Sequence, residues 1–379
     1  MLYDGGRCAK LFLALLLVAS AYAGPAAAKG FTQLDLVSDQ AGVARFTDSN
    51  LVNSWGIAFN QAGTILWVAD NGTGLATTYA PDGTPLSTVV TIPPPAGGIG
   101  PATPTGIVRN DTADFLIKED TIPSAPARFL FATEDGTISG WSPDVDETNA
   151  ILAVDRSLDG SVYKGIALVS TMASGSFLYA TDFHNGFVDM FDGSFALVQS
   201  FTDPDIPAGF APFGIRAING LLYVTYAKQL APENHDDEAG PGNGFVVIFN
   251  PDGTVVSEFA SGGTLNSPWG LTVAPAGMGG FTHALLVGNF GDGRINAFDL
   301  RTGEFLGQVL NRRGDPLVID GLWGLTVRPS VGPTGNQQGP PWFYFSAGPN
   351  HEADGLLGTL RIAVANGRFR TPPGRARQR

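Results

Sequence analysis

At 379 residues, with 44% hydrophobic and only 15% charged residues, the chain has enough apolar material for a large core. A net charge of −13 removes the electrostatic basis for binding nucleic acid or an anionic membrane. Fifty Gly, 27 Pro and 25 Phe describe many short strands joined by tight turns, not amphipathic helices, so the expected class is all-β.

In chain order, residues 1–28 read as a secretory signal. Arg7 and Lys10 precede the apolar run "LFLALLLVASAYA", which is followed by small residues that set cleavage after 23 or 28. The run is too short to span a bilayer, so export to the periplasm or the exterior is expected, with no transmembrane segment. Cys8 lies inside this signal and is the chain's only cysteine, which rules out a disulfide in the processed protein. Next comes "FTQLDLV", Phe31 to Val37, a strand with no neighbour nearby in sequence.

A unit then repeats six times: a residue, Gly and a short apolar strand, as "SWGIAFN", "PTGIVRN", "YKGIALV", "PFGIRAI", "PWGLTVA" and "LWGLTVR". Gly56, Gly106, Gly165, Gly214, Gly270 and Gly324 set a period of about 50 residues, the size of a four-stranded propeller blade. Second strands follow, such as "LWVAD", "LYATD" and "LLVGN". Third strands come after Gly-containing loops, and "PDG" or "DG" turns lead to a fourth. The sixth unit ends before its fourth strand, so "FTQLDLV" is expected to complete that blade and close the ring, which removes the exposed sheet edges. The expected domain is a single six-bladed β-propeller over 31–365, followed by a disordered basic tail, 366–379, and a monomer is expected.

These units resemble NHL-type propellers. Through "TDSNLVNSWGIAFN", "WVADNGTG", "HDDEAGPGNGFVVIF" and "AGPNHEADGL" the chain also resembles an uncharacterised family of exported bacterial proteins. The resemblance implies a propeller fold and no established activity.

In such a fold the residues before each Gly and after each second strand converge on one face, around the channel. The pre-glycine ring is Trp55, Thr105, Lys164, Phe213, Trp269 and Trp323. Trp55, Trp269, Trp323, Lys164 and the nearby Asn53 are candidate ligand-binding residues, with wedging between blades as the structural alternative for the aromatics and an ion pair for Lys164. The second ring is Asp70, Glu134, Asp182, Tyr226, Asn289 and Ala347. Asp70, Glu134, Asp182 and Asn289 offer oxygen ligands for Ca2+, or cap the turns that follow.

Three of the four histidines, His184, His235 and His351, fall in loops after second strands. His235, Asp236 and Asp237 in "ENHDDEAGPGNG" extend the candidate set to a transition metal, with His184 and His351 as candidate general bases. His283 belongs on the opposite face. No HExxH, EF-hand, G-x-S-x-G or phosphate-binding loop is present. Two functions remain open. One is an exported binding module for a small molecule, glycan or protein, with Ca2+ or another metal as its cofactor. The other is a metal-dependent lactonase- or esterase-like hydrolase.

Overall fold

The computed structural model describes residues 30–119, 122–171, 175–329 and 343–362. The expected signal segment and basic tail lie outside these residues.

Six sheets, antiparallel apart from a short parallel pairing of Phe46–Thr47 on Phe31–Ser38, form a closed ring, and a two-stranded ribbon of Leu116–Ile117 and Ala125–Pro126 lies beside them. From the channel outward, blade one runs Ser54–Phe59, Leu66–Asp70, Leu75–Tyr79 and Pro85–Thr91. Blade two is Pro104–Arg109, Phe129–Thr133, Thr137–Trp141 and Ile151–Asp155. Blade three is Tyr163–Thr171, Gly175–Asp182, Phe187–Asp192 and Leu197–Phe201. Blade four is Phe210–Ile218, Leu221–Lys228, Gly244–Phe249 and Val255–Ser261. Blade five is Pro268–Val273, Leu285–Asn289, Ile295–Phe298 and Phe305–Gln308.

Blade six is Leu322–Val327, Phe343–Ala347, Leu356–Ile362 and, as its fourth strand, Phe31–Ser38. The N-terminal strand therefore closes the ring as expected. It pairs from Phe31↔Ile362 to Ser38↔Leu356, with an irregularity between Asp35 and Val37. Its buried residues Phe31, Leu36 and Val37 hold it down, Phe31 against the ring of Phe343.

Blades stacked face to face bury both surfaces of their middle strands. Leu66–Asp70, Phe129–Thr133, Leu285–Asn289 and Phe343–Ala347 are accordingly buried at every residue, while Leu197–Phe201 on a blade's outer edge is largely exposed. Among the described residues, no helix is long and apolar enough to cross a membrane.

The repeated glycines have a packing cause. A Cβ on Gly56 would come within 2.6 Å of the Thr105 carbonyl oxygen, and one on Gly106 within 2.7 Å of the Ile166 nitrogen. Gly165, Gly214, Gly270 and Gly324 face the carbonyls of Phe213, Trp269, Trp323 and Trp55 in the same way. Only hydrogen lets six inner strands approach backbone to backbone around the axis. In every blade the ladder between the first two strands slips at this glycine. Such a bulge re-aims the residue beside it.

Candidate functional site

The register brings the two sequence rings together in five blades; in blade two the ring position is held by Thr133, and Glu134 stands one residue further on, level with Asn71. Ser54 pairs with Asp70, Pro104 with Thr133, Tyr163 with Asp182, Pro212 with Tyr226, Pro268 with Asn289 and Leu322 with Ala347. Each inner-strand start thus lies beside a second-strand end, on one face of the ring.

Next to the bulges, the pre-glycine aromatics fill the axis. Trp55 stacks on Trp323 with ring centroids 3.4 Å apart, and Phe290 stacks on the same indole at 3.9 Å. Trp269 meets both tryptophans edge-on at 5.9 and 5.6 Å, and Phe213 reaches Trp323 at 5.8 Å and Phe183 at 5.0 Å. Trp55, Trp269, Trp323, Phe213 and Phe183 are all buried in one cluster. The three tryptophans, candidate ligand-binding groups, pack on one another at the axis and plug the channel, a place different from the wedging between neighbouring blades weighed as their structural alternative. Hydrogen bonds pin the plug: Trp269 Nε1 donates across the axis to the Lys164 carbonyl at 2.9 Å, and Trp55 Nε1 to Asn53 Oδ1 at 3.1 Å.

A polar cup is built on this plug. Lys164 is only 2% exposed, and its ammonium lies 5.3 Å from the Trp55 ring centroid and 5.9 Å from that of Phe183. It donates to Glu134 Oε1 at 2.5 Å and lies 3.6 Å from Asp236 Oδ1. Glu134 Oε2 accepts from Asn71 Nδ2 at 2.7 Å, and Asn53 Nδ2 donates to Asn71 Oδ1 at 3.1 Å. Asn53 adopts φ +48°, which lets its backbone bond both Asp354 and Asn71 while its side chain spans the indole and the amide.

The "ENHDDEAGPGNG" loop covers one side, between the second and third strands of blade four. His235 Nδ1 lies 3.0 Å from Asp236 Oδ1. That hydrogen bond raises the His235 pKa and lowers that of Asp236. One potential ligand atom each from Glu134, His235 and Asp236 falls within 4.8 Å of the others.

Asp237 and Glu352 complete the cup. Burial pushes both carboxyls above their ordinary range, and Glu134 pushes Glu352 further; Ser267 beside Asp237 and Asn53 beside Glu352, and after them Lys164, pull each part of the way back. Asp237 Oδ2 and Glu352 Oε1 are buried without a hydrogen-bond partner. Four carboxylates, Glu134, Asp236, Asp237 and Glu352, thus surround one lysine and one half-exposed imidazole.

Glu352 and Asn71 were not singled out from sequence. In sequence Glu352 directly follows the candidate base His351 in the loop "GPNHEADG". Asn350, His351 and Glu352 have φ of +57°, +53° and +65°, a left-handed turn held by Glu352 N–H on the Gly348 carbonyl at 3.1 Å. Within this turn Glu352 is half-buried beside Asn53, while His351 is exposed.

The other expected ligands lie elsewhere. Asp70 is wholly buried within blade one, where its Oδ2 accepts from Thr77 Oγ1 at 2.7 Å. Asp182 caps its own turn, accepting from the Val162 and Asn185 backbone N–H groups and from Asn185 Nδ2. Asn289 Nδ2 donates to the Thr264 carbonyl and to Asp292. The second ring is thus divided: Glu134 enters the cup from one residue beyond the paired Thr133, level with Asn71, while Asp70, Asp182 and Asn289, at the paired strand ends, organise the turns there. His184, a candidate base, lies 3.0 Å through Nδ1 from the Glu233 carbonyl, outside the Glu134–His235–Asp236 group.

No family model matches the chain. Two uncharacterised proteins of Acanthamoeba polyphaga mimivirus are each 35% identical to it. One aligns over 333 residues, 86% of this chain and 78% of the relative, and the other over 335 residues, 86% and 84%. Among solved structures, a streptogramin B lyase matches 89% of this chain and 100% of its own with a TM-score of 0.51 and 14% identity. A gluconolactonase from Xanthomonas campestris matches 83% and 87% with a TM-score of 0.50 and 17% identity. At these identities the structural likeness shows the propeller fold alone. The bacterial origin expected from sequence finds no support in these relatives, which are viral. With identity at this level along most of both lengths, the chain belongs to the family of these mimivirus proteins.

Proposed function

We propose that the protein is a β-propeller binding module whose polar cup takes a divalent cation on Glu134, His235 and Asp236. The observation that carries this reading is the convergence of those three donors, from blades two and four, with Asp237 and Glu352 each adding a buried oxygen that lacks a partner. Oxygen-rich sets with one imidazole suit Ca2+, Mn2+ or Zn2+. Lys164 supplies a built-in positive charge, so a metal would compete with its ammonium for Glu134. Calorimetric titration with Mn2+, Ca2+ and Zn2+ tests the reading. At least one should bind stoichiometrically, and Glu134→Gln with Asp236→Asn should weaken it at least tenfold. Silence from all three metals would remove the proposal.

A metal-dependent lactonase-like hydrolase is the second reading. What favours it is the pair Asp237 and Glu352, carboxyls poised above their ordinary range beside the candidate ion, as proton-transfer groups often are. A panel of lactones and aryl esters, assayed with the bound metal, separates the two: turnover abolished in Asp237→Asn supports the enzyme, and no turnover above buffer supports the binding module. The apolar run before Ala23 supports export, and an N-terminus beginning after residue 23 or 28 in secreted protein would check it.

A further inference from the structure

On the other side of the aromatic plug lies a cavity of about 290 Å3, bordered by Trp269 and by the inner strands of all six blades. Among the described residues its lining is backbone and apolar side chains except for Thr326 and two arginines, with no carboxylate.

The two arginines differ. Arg109 is neutralised locally: its Nε donates to both Asp111 oxygens at 2.8 and 2.9 Å and its Nη2 to Asp111 at 2.5 Å. Arg216, two residues beyond the blade-four glycine, has no acidic partner among the described residues. Its Nη1 donates to the Leu271 and Leu325 carbonyls, both at 3.1 Å, which fixes the guanidinium against blades five and six. Those two bonds occupy the two hydrogens of Nη1. The Nε–Nη2 edge makes no hydrogen bond to a described protein group, and the residue, half-buried, lines the cavity.

A guanidinium stays charged in a protein, and this one faces the cavity with no counter-charge among the described residues. The free edge presents parallel N–H groups, a fork that matches a planar oxyanion bidentately. We propose that the axial cavity is a second binding site, for a small planar monoanion such as a monocarboxylate, held on the Nε–Nη2 edge of Arg216. The cavity has room for about ten waters at roughly 30 Å3 each, so a carboxylate of a few heavy atoms fits with some hydration. This site is independent of the cup, from which the tryptophan plug separates it.

Carbon-13 formate provides the direct probe. Its resonance should broaden saturably on adding wild-type protein at constant ionic strength, should not broaden with Arg216→Leu, and should still broaden with Glu134→Gln. The melting temperature of the wild type should rise with formate or nitrate, and that of Arg216→Leu should not respond. Arg216→Lys, which keeps the charge but loses the fork, should show weakened formate binding if the leucine variant fails to fold. No saturable broadening with the wild type, or equal broadening with Arg216→Leu or Arg216→Lys, overturns the proposal.

Discussion

Lys164→Met is the perturbation that most directly probes the cup. The substitution keeps much of the apolar stem against Trp55 and Phe183 but removes the charge that lies 2.5 Å from Glu134 and 3.6 Å from Asp236. Asp236 is 69% exposed and loses little, because water screens it. Glu134 is only 12% exposed, and stranding one member of a buried pair costs about 3–5 kcal/mol. The surviving hydrogen bond from Asn71 places the loss near the lower bound, about 3 kcal/mol. With an unfolding entropy of roughly 2.1 cal/mol/K per residue over about 330 residues, that corresponds to a drop in melting temperature of about 4 °C.

The metal reading adds a second outcome. A divalent ion on Glu134 and Asp236 would replace the missing charge, and saturation at 100 times Kd contributes about 2.7 kcal/mol. Melting wild type and Lys164→Met in chelator and in Mn2+ or Ca2+ therefore gives a four-way comparison. The variant should be the less stable protein in chelator, should recover most of the gap with the ion, and should bind that ion more tightly than the wild type. A variant as stable as wild type in chelator, or one with the same deficit under both conditions, would refute the reasoning.

Three further outcomes follow from the packing. Gly270→Ala drives a Cβ into the Trp323 carbonyl and should cost about 2 kcal/mol or more in urea unfolding, whereas Gly280→Ala, with open space around it, serves as a control near zero. An equal response from both would remove the packing reason for the repeated glycine. Removing the strand Phe31–Ser38 leaves the edge of Leu356–Ile362 unpaired and should yield aggregated or cooperatively destabilised protein by size-exclusion chromatography and circular dichroism, and an unchanged melt would contradict ring closure as a source of stability. Burial holds the Asp70 pKa well above 3.8, so the folded state keeps this proton to higher pH than the unfolded chain. Its contribution is therefore complete below the ordinary carboxyl range and is lost as pH rises toward the raised value. Asp70→Asn should flatten the fall in urea midpoint as pH rises above the ordinary carboxyl range, and an unaltered pH slope would count against that assignment.

Blade number, ring closure and the site face were legible because each rests on a periodic cause. Glycine recurs where inner strands meet, apolar runs mark strands buried on both faces, and "FTQLDLV" had one unfilled place. The bulge beside each glycine was not legible, since a one-residue slip leaves no residue-type signature, yet it accompanies the turn of Trp55, Trp269 and Trp323 into a plug. The cup was read in part. Glu134, Lys164, His235, Asp236 and Asp237 came from the two rings and the acidic loop. Asp70 and Asp182 look the same in sequence as Glu134, and what separates them is register: Asp70 and Asp182 pair with Ser54 and Tyr163 at the strand ends, where they meet Thr77 and Asn185, while Glu134 lies one residue past the paired Thr133, level with Asn71, and reaches Lys164 and Asn71. Glu352 depended on three successive left-handed residues, a conformation that sequence does not announce for His and Glu.

The central claim is that the cup is a cation site built on the tryptophan plug. Anomalous diffraction from crystals soaked in Mn2+ tests it most directly. The account predicts one strong peak within ligand distance of Glu134, His235 and Asp236, with the Lys164 ammonium moved off Glu134; peaks confined to other acidic surfaces, with the Lys164–Glu134 pair intact, would contradict it.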